Sequence, residues 1–314
     1  MKIAFMGTPD FAVPVLQNLL NDPSYEVVCV VTQPDRPKGR KHKMTPPPVK
    51  SLAEKYNISV LQPERVRKPE AVQEILDFEA DLLVTAAYGQ LLPESLLKGP
   101  AFGCVNVHAS LLPDYRGAAP IQQAIIDGKS ESGVTIMYMV KKLDAGDILT
   151  QVRVPIDEQD TFGSLHDKLS AAGSKLLMET LPQLAAGSLT PVVQNEAEVT
   201  FAPSIQHQDE EIQWVNQASD VRNLIRGLNP FPGAFTYLTG DVFKIYAAEL
   251  TSRETHEQPG TIIGNDDDGF FVATGGGQVI KVTECQPAGK KRMRAADFLR
   301  GKTLDKGIVL GGKS

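Results

Sequence analysis

The sequence predicts an α/β chain: a Rossmann-like, doubly wound, mainly parallel sheet, followed by a small C-terminal β-barrel. Three observations carry this. Through the first 150 residues, short β-rich runs alternate with segments of helical period, the pattern of βαβ units. Beyond residue 207 the pattern shifts to many short strands with Gly-rich turns, as in small barrels. At 314 residues the chain is longer than a typical single domain, so two are expected. The expected division is a first domain at 1–189, a linker at 190–206 where periodicity fails, and a second domain at 207–314.

The elements follow in order. Lys2–Met6 is an apolar run ending at Gly7, and Phe11–Leu20 has helical spacing. Val27–Thr32 is a second β-rich run. Gln33–Pro48, with five prolines, reads as a long loop. Ala71–Phe78 reads as a helix, and Asp81–Ala87 as a third strand before Tyr88-Gly89-Gln90. Gly103–Pro113 holds the next strand and the loop it runs into. Ala118–Asp127 follows as a helix, then Val134–Val140 and Asp147–Val154 as strands. In Asp160–Ala186, Leu165, Leu169, Ala172, Leu176, Leu177, Leu181 and Leu184 form one apolar stripe. Asp160 or Thr161 can cap that helix and Gly187 can end it. A short helix near Ser219–Gly227 precedes strands near 234–239, 242–249, 260–263, 269–273 and 278–283.

Composition removes several classes of function. With 42% hydrophobic and 22% charged residues the chain is ordinary globular material, and no run of 18 apolar residues could span a bilayer. The N-terminal apolar run soon meets Pro9 and Asp10, so it reads as a strand and not as a signal peptide. Cys29, Cys104 and Cys285 are odd in number and widely spaced. Reduced thiols in a cytoplasmic protein are expected, with no disulfide framework. The five His show no metal-ligand spacing, so no metal site is expected.

The net charge of −6 is unevenly spread. Residues 1–189 carry 19 Lys/Arg against 22 Asp/Glu, residues 190–280 carry 4 against 13, and residues 281–314 carry 9 against 3. A basic cluster, Arg36, Lys38, Arg40, Lys41 and Lys43, lies in the proline-rich segment, and Lys290, Lys291 and Arg292 lie in the basic tail. Local clusters matter more than total charge for attracting a polyanion, although an isolated charge run is usually plain solvated surface.

The motifs that carry chemistry begin at Gly7-Thr8-Pro9-Asp10-Phe11-Ala12. This is where a dinucleotide fold would place G-x-G-x-x-G. Pro9 lacks the N–H and adds bulk where backbone must approach a pyrophosphate, so NAD or FAD binding is rejected. Along the strand ending at His108, side chains alternate. Asn106 and His108 therefore share a face, roughly 7 Å apart, at the sheet edge where such folds bind ligands. An Asn amide can donate to a developing oxyanion and a His can carry a proton, which points to acyl-type chemistry. In Leu143-Asp144-Ala145-Gly146-Asp147, either Asp144 or Asp147 could orient His108. Cys104 shares the strand face, so a Cys–His nucleophile is conceivable, but four residues deep in a buried strand it reads as a packed thiol.

These residues resemble those of a known family. Asn106-Val107-His108-Ala109-Ser110-Leu111-Leu112-Pro113, Tyr115-Arg116-Gly117-Ala118-Ala119-Pro120-Ile121 and Asp144-Ala145-Gly146-Asp147-Ile148 are together similar to formyltransferases that use 10-formyltetrahydrofolate. Asn229-Pro230-Phe231-Pro232-Gly233-Ala234 adds to the match, which extends over the whole chain and lies nearest to members that formylate the α-amine of initiator methionyl-tRNA. Phe231 stands where Trp is common, Ala145 where Thr is common, and Asp114 and Tyr115 where a basic and an aromatic residue are common. The resemblance implies a catalytic trio of Asn106, His108 and Asp144, and a folate loop of Ser110, Leu111, Leu112 and Pro113. It implies a pterin-pocket wall around Tyr88, Gln90 and Leu92. It also implies that the loop at 34–48, with Arg40 foremost, meets the tRNA acceptor end, and that an oligonucleotide-binding-like barrel holds the tRNA. A monomer without bound metal is expected. A formyltransferase for amino sugar nucleotides would share the trio and the folate loop, whereas a non-catalytic RNA-binding module would leave both without a purpose.

Overall fold

The computed structural model describes residues 1–39, 43–301 and 304–312. In chain order the elements of the first 202 residues are β1 (Lys2–Gly7), α1 (Val13–Asn21), β2 (Glu26–Val31), β3 (Arg36–Lys38), β4 (Lys43–Thr45), α2 (Pro48–Lys55), β5 (Val60–Leu61), α3 (Pro69–Leu76), β6 (Leu82–Ala86), α4 (Glu94–Leu97), β7 (Cys104–His108), β8 (Arg116–Gly117), α5 (Pro120–Ile126), β9 (Glu131–Tyr138), β10 (Ile148–Pro155), α6 (Phe162–Ala185) and β11 (Phe201–Ala202). Then follow α7 (Ala218–Gly227), β12 (Ala234–Leu238), β13 (Asp241–Glu254), β14 (Ile262–Asn265), β15 (Phe270–Ala273), β16 (Gln278–Pro287), β17 (Met293–Arg294) and α8 (Ala295–Gly301).

The chain forms two compact units, neither a single continuous stretch. One comprises residues 1–120, 131–155 and 166–202, the other 121–130, 156–165 and 203–314. In the first, seven strands make one sheet in the order β10-β9-β7-β6-β1-β2-β5. From β5 to β7 all pairs are parallel, while β9 runs antiparallel to both β7 and β10. The central strands are apolar on both faces because both are covered. Ala4, Met6, Cys29, Val31, Leu83 and Cys104 pack with Val72 and Ile75 of α3 and Leu96 of α4. On the opposite face Gly173 of α6 lies against Val107 and Val134, and Ser170 and Ser174 hydroxyls bind the carbonyls of Phe11 and Pro14.

Two stretches differ from the sequence expectation. The segment read as a long loop contains β3 and β4, paired antiparallel with Arg36 opposite Thr45 and Lys38 opposite Lys43. Its prolines also start a helix instead of only breaking one. Pro48 occupies the first turn of α2, where its missing N–H costs nothing, and Val49, Leu52 and Ala53 are buried. The stretch read as an aperiodic linker is bound to the first unit at several points: Val192 bridges Ile148, and β11 pairs in parallel with β8.

In the second unit the antiparallel sheet runs β12-β13-β16-β15-β14, with β17 paired to the end of β16 beyond its contacts with β15. The long strand β13 carries bulges against β16, which bend and twist a strand of this length. Its core includes Trp214, Val221, Ile225, Phe243, Ile245, Phe270, Ile280 and Phe298, so α7 and α8 pack on the sheet.

Candidate active site at the ends of two central strands

β6 and β7 end side by side, with Thr85 in register with Asn106. The buried Thr85 hydroxyl donates to Asn106 Oδ1 at 2.7 Å, and lies 3.1 Å from Met139 Sδ. With Oδ1 engaged, Nδ2 is left unpaired among the described residues. An Asn amide held by its oxygen presents a fixed donor to whatever occupies the strand end.

Two residues on, His108 is buried, and its Nε2 lies 3.1 Å from the Tyr115 carbonyl. A carbonyl only accepts, so Nε2 carries the proton of the neutral ring and Nδ1 is the basic nitrogen. Nδ1 faces Asp144 Oδ2 across 3.9 Å. The Asp144 carboxylate in turn accepts from the Gly117 N–H at 2.9 Å. Of the two aspartates open in the sequence, Asp144 is therefore the one beside His108. Asp147 extends the β9–β10 pairing by accepting from the Tyr138 N–H.

The loops that deliver these groups are tightly constrained. Tyr115 and Asp144 both hold left-handed backbone, φ +60° and +46°, a conformation that costs free energy for residues with a Cβ. Gly146 passes so close to the Tyr138 carbonyl that a Cβ would lie 1.8 Å from its oxygen. Gly117 has φ +123° and a Cβ there would meet the Ala202 carbonyl at 2.6 Å. The glycines of these two motifs thus follow from close backbone approach.

The loop Ser110–Pro113 is pinned from below. Thr135, fully buried and opposite His108 in register, donates to the Ser110 carbonyl at 2.7 Å and accepts from the Leu112 N–H at 3.1 Å. Gln151 donates to the Leu112 carbonyl and to Thr135 Oγ1, both at 2.9 Å. Ser110 Oγ donates to the Asp114 carbonyl at 2.6 Å, and Leu111 and Pro113 are half-buried.

In the loop after β6 the expected side chains turn inward. Tyr88 and Leu92 are in the core with Met6 and Cys104. The Gln90 amide is spent on the Val66 N–H and the Pro63 carbonyl. Ala87, Gly89 and Leu91 are the exposed residues there, so the loop offers its backbone and Leu91 to a ligand. Burial pushes the Tyr88 hydroxyl and the Cys104 thiol up to about 12 each. Cys104 Sγ donates to the Leu96 carbonyl. That thiol is the packed one and not a nucleophile.

The basic residues divide into engaged and exposed. Arg36 pairs with Glu64 at 3.2 Å, while Lys43 is exposed on β4. Lys38 pairs with Lys43 in the ribbon register; Arg40 and Lys41 lie outside the described residues. Lys290 and Lys291 are exposed in the turn before β17. Arg292 grips Glu284 with two nitrogens, reaches Asn229 Oδ1 at 3.1 Å and lies 4.4 Å over the Tyr246 ring. A cavity of about 550 Å³ in the second unit, lined by Glu254, His256 and Glu257 among others, is acidic and suits no polyanion. Among the described residues no group of three or more His, Cys, Asp or Glu converges to hold a metal ion.

Residues 1–181 match the formyl transferase family and residues 204–303 the formyl transferase C-terminal domain. A methionyl-tRNA formyltransferase of Bacillus velezensis is 54% identical over 310 residues, covering 99% of this chain and 98% of that one. One from Geobacillus sp. WCH70 is 57% identical over 301 residues, covering 96% and 94%. Among solved structures, HypX from Aquifex aeolicus in complex with tetrahydrofolic acid matches with TM-score 0.63 at 17% identity, over 98% of this chain and 50% of that one. WlaRD, a sugar 3N-formyl transferase crystallised with dTDP and 5-N-formyl-THF, matches with TM-score 0.66 at 18% identity, over 93% and 99%. At such identities the two structures speak to the fold alone.

Proposed function

The chain belongs to the methionyl-tRNA formyltransferase family, and on that premise we propose that Asn106, His108 and Asp144 are where a formyl group passes to the α-amine of initiator methionyl-tRNA. The donor in this reading is 10-formyltetrahydrofolate, held along Ser110–Pro113 and the backbone at 87–91. The observation that carries it is the pair of fixed groups at the ends of β6 and β7: an Asn amide held by its oxygen, and a His ring held by the Tyr115 carbonyl with its basic nitrogen toward Asp144.

The chemistry follows from these residues. A free α-amine has a pKa near ~8, so a neutral fraction is available and no covalent enzyme nucleophile is needed. As the amine adds to the formyl carbon, the carbonyl oxygen gains charge. Asn106 Nδ2 donates to that oxygen, an interaction worth about 3 kcal/mol in such sites. His108 Nδ1 takes a proton as the new ammonium loses it, and the Asp144 carboxylate meets the resulting positive charge. The departing folate nitrogen then takes a proton from the same ring.

The tRNA would be held mainly through phosphates, by Arg36, Lys38, Arg40, Lys41 and Lys43 at the ribbon and by Lys290 and Lys291, with Arg292 bracing their turn. The C-terminal sheet domain, expected at residues 207–314 and lying within the second unit, is the tRNA-holding domain in this reading. Radiolabelled formyl transfer from 10-formyltetrahydrofolate, with methionyl-tRNA, a UDP-amino sugar and water as competing acceptors, tests the whole reading. Label is expected on methionyl-tRNA; preference for the sugar or for water overturns it.

A further inference from the structure

We propose that Gln194 is a positioning residue for the formyl-transfer site, locking the Asp144 loop to the Tyr115–Gly117 loop. The inference rests on the reading of Asn106, His108 and Asp144 given above. It arises in a segment with no periodicity and no motif. Val192 pairs with Ile148 through two backbone hydrogen bonds of 2.8 and 2.9 Å, which sets the extended chain in register. Val192 and Val193 face outward, 58% and 77% exposed, and Gln194 turns inward, 5% exposed.

The buried amide uses all of its hydrogen-bonding capacity. Nε2 donates to the Asp144 carbonyl at 2.9 Å and the Gly146 carbonyl at 2.7 Å. Oε1 accepts from Arg116 Nε at 3.0 Å and Nη2 at 2.8 Å. Arg116 is fully buried between the two residues that matter most to the trio. Tyr115 before it gives its carbonyl to His108, and Gly117 after it gives its N–H to Asp144. One side chain therefore ties together the backbones on both sides of the His108–Asp144 contact.

The following residues complete the brace. Glu196 meets Arg116 Nη2 at 3.0 Å, Thr200 Oγ1 accepts from the Tyr115 N–H at 2.8 Å, and the Thr200 carbonyl accepts from the Arg116 N–H at 2.9 Å. Tyr115 and Asp144, both in left-handed backbone, need this external support to hold their conformations. A loop that relaxes would move the carboxylate away from His108 without altering the residues proposed to hold folate or tRNA.

The test is steady-state formylation of methionyl-tRNA by Gln194→Glu and Gln194→Met, with Asp144→Asn measured alongside. Gln194→Glu keeps an acceptor for Arg116 but loses both donors to the carbonyls. Gln194→Met keeps the volume and loses every hydrogen bond. For both, kcat is expected to fall about tenfold to a hundredfold, as small displacements of reacting groups do, with KM for each substrate within about twofold. Parent kcat in either folded variant overturns the inference while a slow Asp144→Asn leaves the trio standing. Parent kcat in Asp144→Asn overturns the trio itself. If neither Gln194 variant folds, the side chain is structural only and the positioning role is refuted.

Discussion

The Thr85 hydroxyl donates to the Asn106 amide oxygen at 2.7 Å, across the junction of two parallel strands. This contact fixes the amide with its oxygen toward Thr85, so that in the proposed site its Nδ2 end is the one presented to substrate. Thr85→Val keeps the shape and removes the hydrogen, so the amide is free to turn. We expect kcat for formyl transfer to fall about tenfold, less than the roughly hundredfold expected of Asn106→Ala, which removes the donor altogether. Rates at saturating substrates give both values. Equal rates for Thr85→Val and the parent would show that Asn106 is oriented by something else.

His108 and Asp144 should behave as one unit. His108→Ala and Asp144→Ala are each expected to slow turnover a hundredfold or more. The double variant should be little worse than His108→Ala, because groups acting together are strongly non-additive. Independent, additive losses would mean that Asp144 does not act through the imidazole. The 3.9 Å separation is longer than a hydrogen bond, and catalytic contacts often tighten only in the reacting complex.

The sequence carried the sheet and the Asn106–His108 pair because both follow local rules, whereas Asp144 was singled out only through the family resemblance. β1, β6 and β7 are short apolar runs bounded by Gly7, Ala87 and the loop at Ser110, and alternation alone places Asn106 beside His108. It did not separate Asp144 from Asp147, since that depends on how the loop leaves β9. Thr85, Thr135 and Gln151 were silent: a Thr in a β-rich run is simply a good strand former. Gln194 and Arg116 carry no periodic signal, because their partners lie 48 to 80 residues away in the chain. The helix α2 was hidden by the prolines that start it.

Burial of the thiols and of Tyr88 sets a dependence on alkaline pH. Cys29, Cys104 and Cys285 are each raised to about 12 chiefly by burial, as is Tyr88. Unfolded, these groups ionise near about 8.5 and about 10, so the unfolded chain binds fewer protons above those values. Stability is therefore full below about pH 8.5 and is lost progressively as pH rises toward about 12. Among the described residues Tyr88 Oη is buried without a partner, so Tyr88→Phe should unfold at equal or higher urea concentration, by up to about 1 kcal/mol, and its advantage should grow above pH 10. Urea titrations at pH 7, 9 and 10.5 measure this; a constant difference would refute it. The native thiols should also resist a thiol-reactive disulfide at pH 8, and Cys104→Ala should retain parent kcat.

The basic turn before β17 separates solvent-facing charge, proposed to meet tRNA, from charge engaged within the protein. Lys290 and Lys291 project into solvent, whereas Arg292 is committed to Glu284, which with its hydrogen bonds holds the guanidinium pKa above the usual value. Lys290→Ala with Lys291→Ala should leave thermal stability unchanged and raise KM for methionyl-tRNA. It should also flatten the dependence of log(kcat/KM) on log salt by up to about two units, since each phosphate contact contributes ~0.7–0.9. Arg292→Ala should do the reverse. It removes a partly exposed ion pair, a bond to Asn229 and the Tyr246 stack, costing about 1 kcal/mol of stability once solvent screening is allowed for, with the salt slope unchanged. Formylation rates across a salt series, together with thermal melts, distinguish the two. A salt slope altered by Arg292→Ala and not by the lysine pair would invert the assignment.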